Sequence, residues 1–95
     1  DCDCAMRCYD TAMSGEIMPG TIVFLKKIAV EAIIPGGTYV IGSQNYILLR
    51  KVHPAAEAGE RVLTLKAANA GYDSVRIAVD DVECVYRVVA QLRLC

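Results

Sequence analysis

The sequence lacks an apolar run of the roughly 18–20 residues that a membrane-spanning helix requires. It also lacks the charged and then apolar leader that is typical of a secretory signal peptide. The ten Lys and Arg residues are scattered rather than clustered, and the formal net charge is −1, so no basic face suited to binding DNA is predicted. These absences predict a cytoplasmic chain that does not bind a membrane and does not grip DNA by itself.

Histidine is nearly absent, because His53 is the single one and lies far along the chain from most cysteines. Five cysteines are present, and an odd number argues for reduced cytosolic thiols rather than a disulfide framework. The first three form a Cys-x-Cys-x-x-x-Cys run, whereas zinc sites usually contain Cys-x-x-Cys pairs, often with histidine. We therefore predict no metal site and no cofactor. The five are Cys2, Cys4, Cys8, Cys84 and Cys95.

Helical periodicity is scarce, and short runs of β-branched and apolar residues alternate with Gly, Pro, Asn and Asp. Residues 11–18 predict a turn or a single helical turn, and residues 53–60 predict a loop. Strands are predicted at residues 5–9, 21–28, 38–43, 46–52, 61–66, 75–79 and 84–94. So many short strands at close spacing predict an all-β fold of coiled antiparallel sheets.

The chain has 95 residues, of which 55% are hydrophobic and 22% charged. This composition predicts one small globular domain over residues 1–95. The chain begins at Asp1 without an initiator Met, which we interpret as the sign of a fragment of a longer protein.

Four segments follow one another in an informative order. Residues 10–23 form a turn around Ala12, followed by a Pro-Gly pair and an apolar strand. Residues 49–52 read Leu-Arg-Lys-Val, residues 69–77 begin with an Asn-Ala-Gly-Tyr turn, and residues 86–93 read Tyr-Arg-Val-Val-Ala-Gln-Leu-Arg. Together these segments resemble the LexA-like and phage-repressor serine peptidase domain of the signal-peptidase-like superfamily.

The resemblance implies a Ser-Lys dyad in which a neutral lysine takes the proton of a nucleophilic serine. Here Ala12 stands at the serine position, and a methyl group cannot attack a carbonyl. Arg50 stands at the lysine position, and a guanidinium stays protonated and cannot act as a general base. We therefore expect a degenerate peptidase with no catalytic residues.

Two other functions stay open at this stage. An active self-cleaving peptidase could use Thr11 or Ser14 as a displaced nucleophile with Lys51 as the base, although a one-residue shift in a strand turns the side chain to the opposite face. Alternatively, the vacated cleft could bind an extended peptide as an added strand.

The function that the resemblance implies without catalysis is self-association of a transcriptional regulator. A dimer of such domains holds two upstream helix-turn-helix domains at the spacing of a palindromic operator. No helix-turn-helix pattern occurs within these residues, so DNA would be bound only through an upstream domain. The last strand is apolar on both faces and is predicted to be a free edge that pairs in a homodimer. Its predicted interface residues are Val85, Val88, Val89 and Leu92.

Overall fold

The structure is a computed structural model that describes residues 1–93, and these residues form one seven-stranded antiparallel sheet. The strands are β1 (Cys4–Arg7), β2 (Ile22–Ile28), β3 (Gly37–Ser43), β4 (Ile47–Glu57), β5 (Glu60–Lys66), β6 (Val75–Ala78) and β7 (Val82–Leu92). Short 3₁₀ turns at Val30–Ala32 and Val79–Asp81 are the only helical elements of the described residues, and neither could cross a membrane. The predicted all-β class is confirmed.

The strand order is β1-β2-β7-β3-β4-β5-β6, with antiparallel pairing throughout. The ladder is therefore continuous, and β1 and β6 are its two outer strands. Several separate coiled sheets were expected from the sequence, and the structure has a single open one instead.

Both faces of β3 are buried, because successive side chains of a strand point to opposite sides of the sheet. Tyr39 and Ile41 belong to one hydrophobic cluster, and Val40 between them belongs to another. The second cluster also contains Met13 and Ile17 from the connection between β1 and β2. This connection is thereby held against the sheet, and it is the segment that contains Ala12.

The predicted loop at residues 53–60 is wrong, because β4 continues to Glu57 and β5 begins at Glu60. Its Pro and Ala residues are typical of loops, but here β4 has only β5 as a partner, since the pairing of β4 with β3 stops at Val52, opposite Gly37. A proline is tolerated where one side of a strand has no ladder partner. The turn is a two-residue hairpin in which Ala58 and Gly59 have φ angles of 50° and 81°.

The prediction that the last strand is a free edge is wrong for its first half. β7 lies between β2 and β3, and residues 82–87 pair with β3. The pairing with β3 ends at Arg87 opposite Tyr39, whereas the pairing with β2 continues to Leu92. Among the described residues, the stretch from Val88 to Leu92 therefore has a ladder partner on one side only. Leu94, the last residue of the predicted strand, lies outside the described residues.

Candidate functional site at the Ala12 turn

The segment from Cys8 to Thr21 is a closed loop that folds onto the sheet. Its two ends are joined by backbone hydrogen bonds from Cys8 N to Thr21 O (2.8 Å) and from Gly20 N to Cys8 O (2.6 Å). The predicted turn at residues 11–18 is confirmed, with a helix-like bond from Ile17 N to Met13 O (2.8 Å). The side chain of Asp10 stabilises the start of this turn, because its Oδ1 accepts a hydrogen bond from Ala12 N (3.1 Å).

Ala12 is completely buried, with 0% of its surface exposed. The turn at residues 69–72 packs on the Ala12 turn through three polar contacts. Asn69 N donates to Ala12 O (2.9 Å), Asn69 Nδ2 donates to Thr11 O (3.2 Å), and the hydroxyls of Thr11 and Tyr72 are hydrogen-bonded (2.7 Å). A group at the Ala12 β-carbon would therefore lie beneath protein rather than face an open cleft.

Arg50 lies close to the Ala12 turn, as the resemblance implies. It is only 7% exposed, and its Nη1 donates to the carbonyl of Leu49 (2.8 Å) and lies 3.8 Å from Asp10 Oδ2. Its guanidinium carbon lies 5.7 Å from the ring centroid of Tyr72, which is within cation–π range. Asp10 thus contacts both Ala12 and Arg50, and a buried arginine requires such partners because an isolated buried charge is costly.

The fallback catalytic residues lie near the turn but are used in other contacts. Lys51 Nζ donates to Glu16 Oε2 (2.7 Å), whereas a general base has to offer a free lone pair to a hydroxyl. Thr11 shares its hydroxyl with Tyr72, and Ser14 is half-buried. Within residues 1–93, Lys51 forms no hydrogen bond with either hydroxyl, so the structure places the predicted base and nucleophiles near one loop without joining them.

A buried thiol lies beside the turn, and sequence reasoning, which expected buried thiols or strand residues among the first cysteines, did not place it there. Cys8 is 3% exposed and belongs to the same hydrophobic cluster as Met13. Burial and the nearby charge of Asp10 raise the pKa of the Cys8 thiol, and the charge of Arg50 opposes this rise. A thiol that is buried and protonated is a poor nucleophile, so Cys8 is not a substitute for the serine that the resemblance implies.

The predicted interface residues of β7 lie in different environments. Val85 is 2% exposed and belongs to the hydrophobic core, so it is not at the surface. Val88 packs partly against the second cluster. Val89 and Leu92 are exposed, at 38% and 47%, and both lie in the half of β7 that has one ladder partner. Their role in a dimer stays a prediction.

No metal centre is formed by the chelating side chains of His, Cys, Asp and Glu within residues 1–93, since no group of three or more is placed to hold an ion. Comparison of the sequence with models of known protein families gives no match, and comparison with curated proteins gives none either.

Proposed function

We propose that this chain is the non-catalytic dimerisation domain of a LexA-like or phage-repressor-like transcriptional regulator. In this proposal it acts in the cytoplasm and reaches DNA only through a helix-turn-helix domain upstream. The observation that carries the non-catalytic part is the complete burial of Ala12, whose carbonyl is bonded by Asn69 and whose neighbour Asp10 contacts an arginine. At the position of Ala12 there is thus no nucleophilic atom, and the residue itself is not exposed to a substrate.

Three of the four segments that carry the resemblance meet at this site, which supports the family proposal. Asp10 contacts Arg50, and Asn69 contacts Ala12, although these residues lie far apart in the sequence. A chance similarity of short motifs would not require the segments to converge in space. The same contacts support retention of the turn as a structural element, because each buried backbone group that it pairs would otherwise cost free energy.

The half of β7 from Val88 to Leu92 supports self-association. Its second edge carries unpaired backbone groups, and an exposed apolar edge is a template for pairing with another strand. Val89 and Leu92 add apolar surface beside that edge. A second copy that pairs its own β7 in antiparallel orientation would cover both edges at once, since a two-fold interface uses the same residues twice.

Light scattering coupled to size exclusion tests the dimer. We expect a dimer for the unmodified chain and a monomer for Val89→Lys combined with Leu92→Lys, because lysines on an edge oppose strand pairing. Ile47→Lys is the matched control, since Ile47 is an exposed apolar strand residue on β4 and its replacement should leave the dimer intact. A monomeric unmodified chain at high concentration would exclude the proposal.

The self-cleaving peptidase is the alternative, and the closeness of Lys51 to the loop that bears Thr11 and Ser14 is the observation that favours it. Incubation of the chain at alkaline pH, followed by mass spectrometry, tests it. A fragment that disappears in Lys51→Ala would support the peptidase, and an intact chain would exclude it. Binding of a peptide in the vacated cleft gains no support, because Ala12 is completely buried.

A further inference from the structure

An open groove lies beside β6, the outer strand that follows β5 in the sheet. Residues 76–78 of β6 form one wall of this β6 groove, and the turn at residues 43–46, between β3 and β4, forms the opposite wall. Its volume of about 440 Å³ is within the range of about 300–1,000 Å³ that is usual for ligand sites. Among the described residues, none from the Ala12 turn lines it, so the β6 groove is a separate site.

The β6 groove follows the free edge of β6 rather than one of its faces. It is lined by the consecutive residues Arg76, Ile77 and Ala78, whose side chains alternate between the two faces of the sheet. Strand β5 pairs with the other edge of β6, and within residues 1–93 no residue of β5 lines the groove. The N–H and C=O groups that β6 directs away from β5 therefore face the groove and can pair with a further strand.

The β6 groove carries an excess of negative charge. Asp80, Asp81 and Glu83 line it and are exposed, and in the described part of the chain none of the three forms an ion pair. Arg76 is the only basic residue of the described lining, and its guanidinium is ion-paired with Glu57 on β4. Because β5 lies between β4 and β6, this guanidinium reaches over β5, away from the free edge. The three carboxylates are thus left without a counter-charge, and they attract cationic groups.

We propose that the β6 groove binds an extended peptide segment that carries lysine or arginine side chains, and that this segment pairs with β6 as an added strand. Backbone hydrogen bonds to a free strand edge give such a complex its affinity, and only a peptide offers a backbone to that edge. The basic side chains match the three carboxylates, and charge complementarity of this kind selects the partner. The opposite wall contains the polar residues Gln44 and Asn45, which suit a polar ligand better than an apolar one.

This binding site goes beyond the proposed function and does not depend on it. Of the described residues of β7, only Glu83 lines the β6 groove, whereas the proposed dimer uses the stretch from Val88 to Leu92. The chain with Val89→Lys and Leu92→Lys should therefore bind the peptide as the unmodified chain does, whether or not the dimer forms.

Fluorescence anisotropy with a labelled short peptide of alternating valine and lysine tests the charge of the groove. We expect saturable binding that weakens as the salt concentration rises, because salt screens exposed charges. Asp80→Asn combined with Asp81→Asn should weaken the affinity by about three- to tenfold, as expected for two exposed ion pairs. Asp1→Asn combined with Asp73→Asn is the matched control, since it removes two exposed carboxylates that do not line the groove, and it should leave the affinity unchanged.

Two further measurements test the pairing with the strand edge. The same peptide with every backbone nitrogen methylated keeps its charge but loses its N–H donors, so it should bind about tenfold more weakly. Hydrogen exchange of the backbone amides of β6 should become slower when the unmethylated peptide binds, and exchange in β1, the other outer strand, should not change.

Several outcomes would overturn the proposal. These are no binding of the peptide, equal affinity of the Asp80→Asn, Asp81→Asn variant and the unmodified chain, equal affinity of the methylated peptide, or protection of β1 instead of β6. Slower exchange of β6 that grows with protein concentration in the absence of peptide would show that a second copy occupies the edge, and this result would also overturn it. Circular dichroism checks that the replacements of these exposed residues leave the fold intact.

Discussion

Replacing Ala12 with serine tests whether the turn is a silenced active site or a structural element. The β-carbon of Ala12 has no access to solvent, so the new hydroxyl would be removed from water. A buried hydroxyl without a partner costs about 1–3 kcal/mol. The carboxylate of Asp10 already accepts the Ala12 N–H through its Oδ1 and lies near Arg50 through its Oδ2. We therefore expect a free energy of unfolding that is lower by about 1–2 kcal/mol.

Urea unfolding measures this loss, and Ala56→Ser on the exposed part of β4 is the control, with an expected change within about 0.5 kcal/mol. A domain of ordinary stability tolerates the expected loss and stays folded, so activity can be assayed on the same sample. We expect no self-cleavage and no labelling of the introduced serine by a fluorophosphonate. Labelling or cleavage would refute the reasoning, because either requires an accessible and activated hydroxyl.

Three further predictions concern the fold around the site. Ala58→Asn should raise the free energy of unfolding by about 0.5–1 kcal/mol, because Ala58 has a φ of 50° and asparagine tolerates this left-handed backbone better; urea unfolding measures it, and an unchanged midpoint would contradict it. Gly42→Ala should destabilise the domain by about 1–3 kcal/mol, since the added β-carbon would lie 2.5 Å from Cys84 Sγ, and Cys84→Ala in the same chain should restore most of the loss. Because folding raises the pKa of the Cys8 thiol, the thiol of the unfolded chain ionises first as the pH rises above 9.0, the ordinary pKa of a cysteine. The stability that this group contributes is complete below that pH and is lost as the pH rises through the pKa of the folded state. In urea unfolding at increasing alkaline pH, the free energy of unfolding of Cys8→Ala should therefore decline less steeply than that of the unmodified chain. An equal slope would contradict the assignment.

Sequence patterns predicted the strands best where composition and pairing agree. The strands around Val23, Val40 and Leu63 are runs of β-branched and apolar residues with buried positions, so their local propensity and their tertiary environment favour the same structure. Residues 53–57 were missed because Pro54 and two alanines are poor strand formers, and only the ladder with β5 makes them a strand. Propensity cannot reveal a partner that lies further along the chain.

The candidate site was predictable in part. The proximity of Ala12 and Arg50 was implied by the resemblance, whereas the contact through Asp10 was not. Asp10 lies two residues before Ala12, which is the spacing at which an aspartate side chain accepts a backbone N–H in a turn. That signal was available in the sequence. The burial of Ala12 was not, because burial depends on tertiary contacts, of which the hydrogen bond from the sequence-distant Asn69 is one.

The contacts of Arg50 stabilise the Ala12 turn without any catalytic role. A lysine general base must be neutral to accept a proton, and burial favours that state, whereas arginine stays charged and has to be paired when it is buried. Here Asp10, the carbonyl of Leu49 and the ring of Tyr72 supply this pairing. The same aspartate fixes the backbone of Ala12, so the charge of Arg50 and the shape of the turn stabilise each other. Replacing Arg50 with lysine would remove part of this mutual support, because lysine lacks the planar guanidinium.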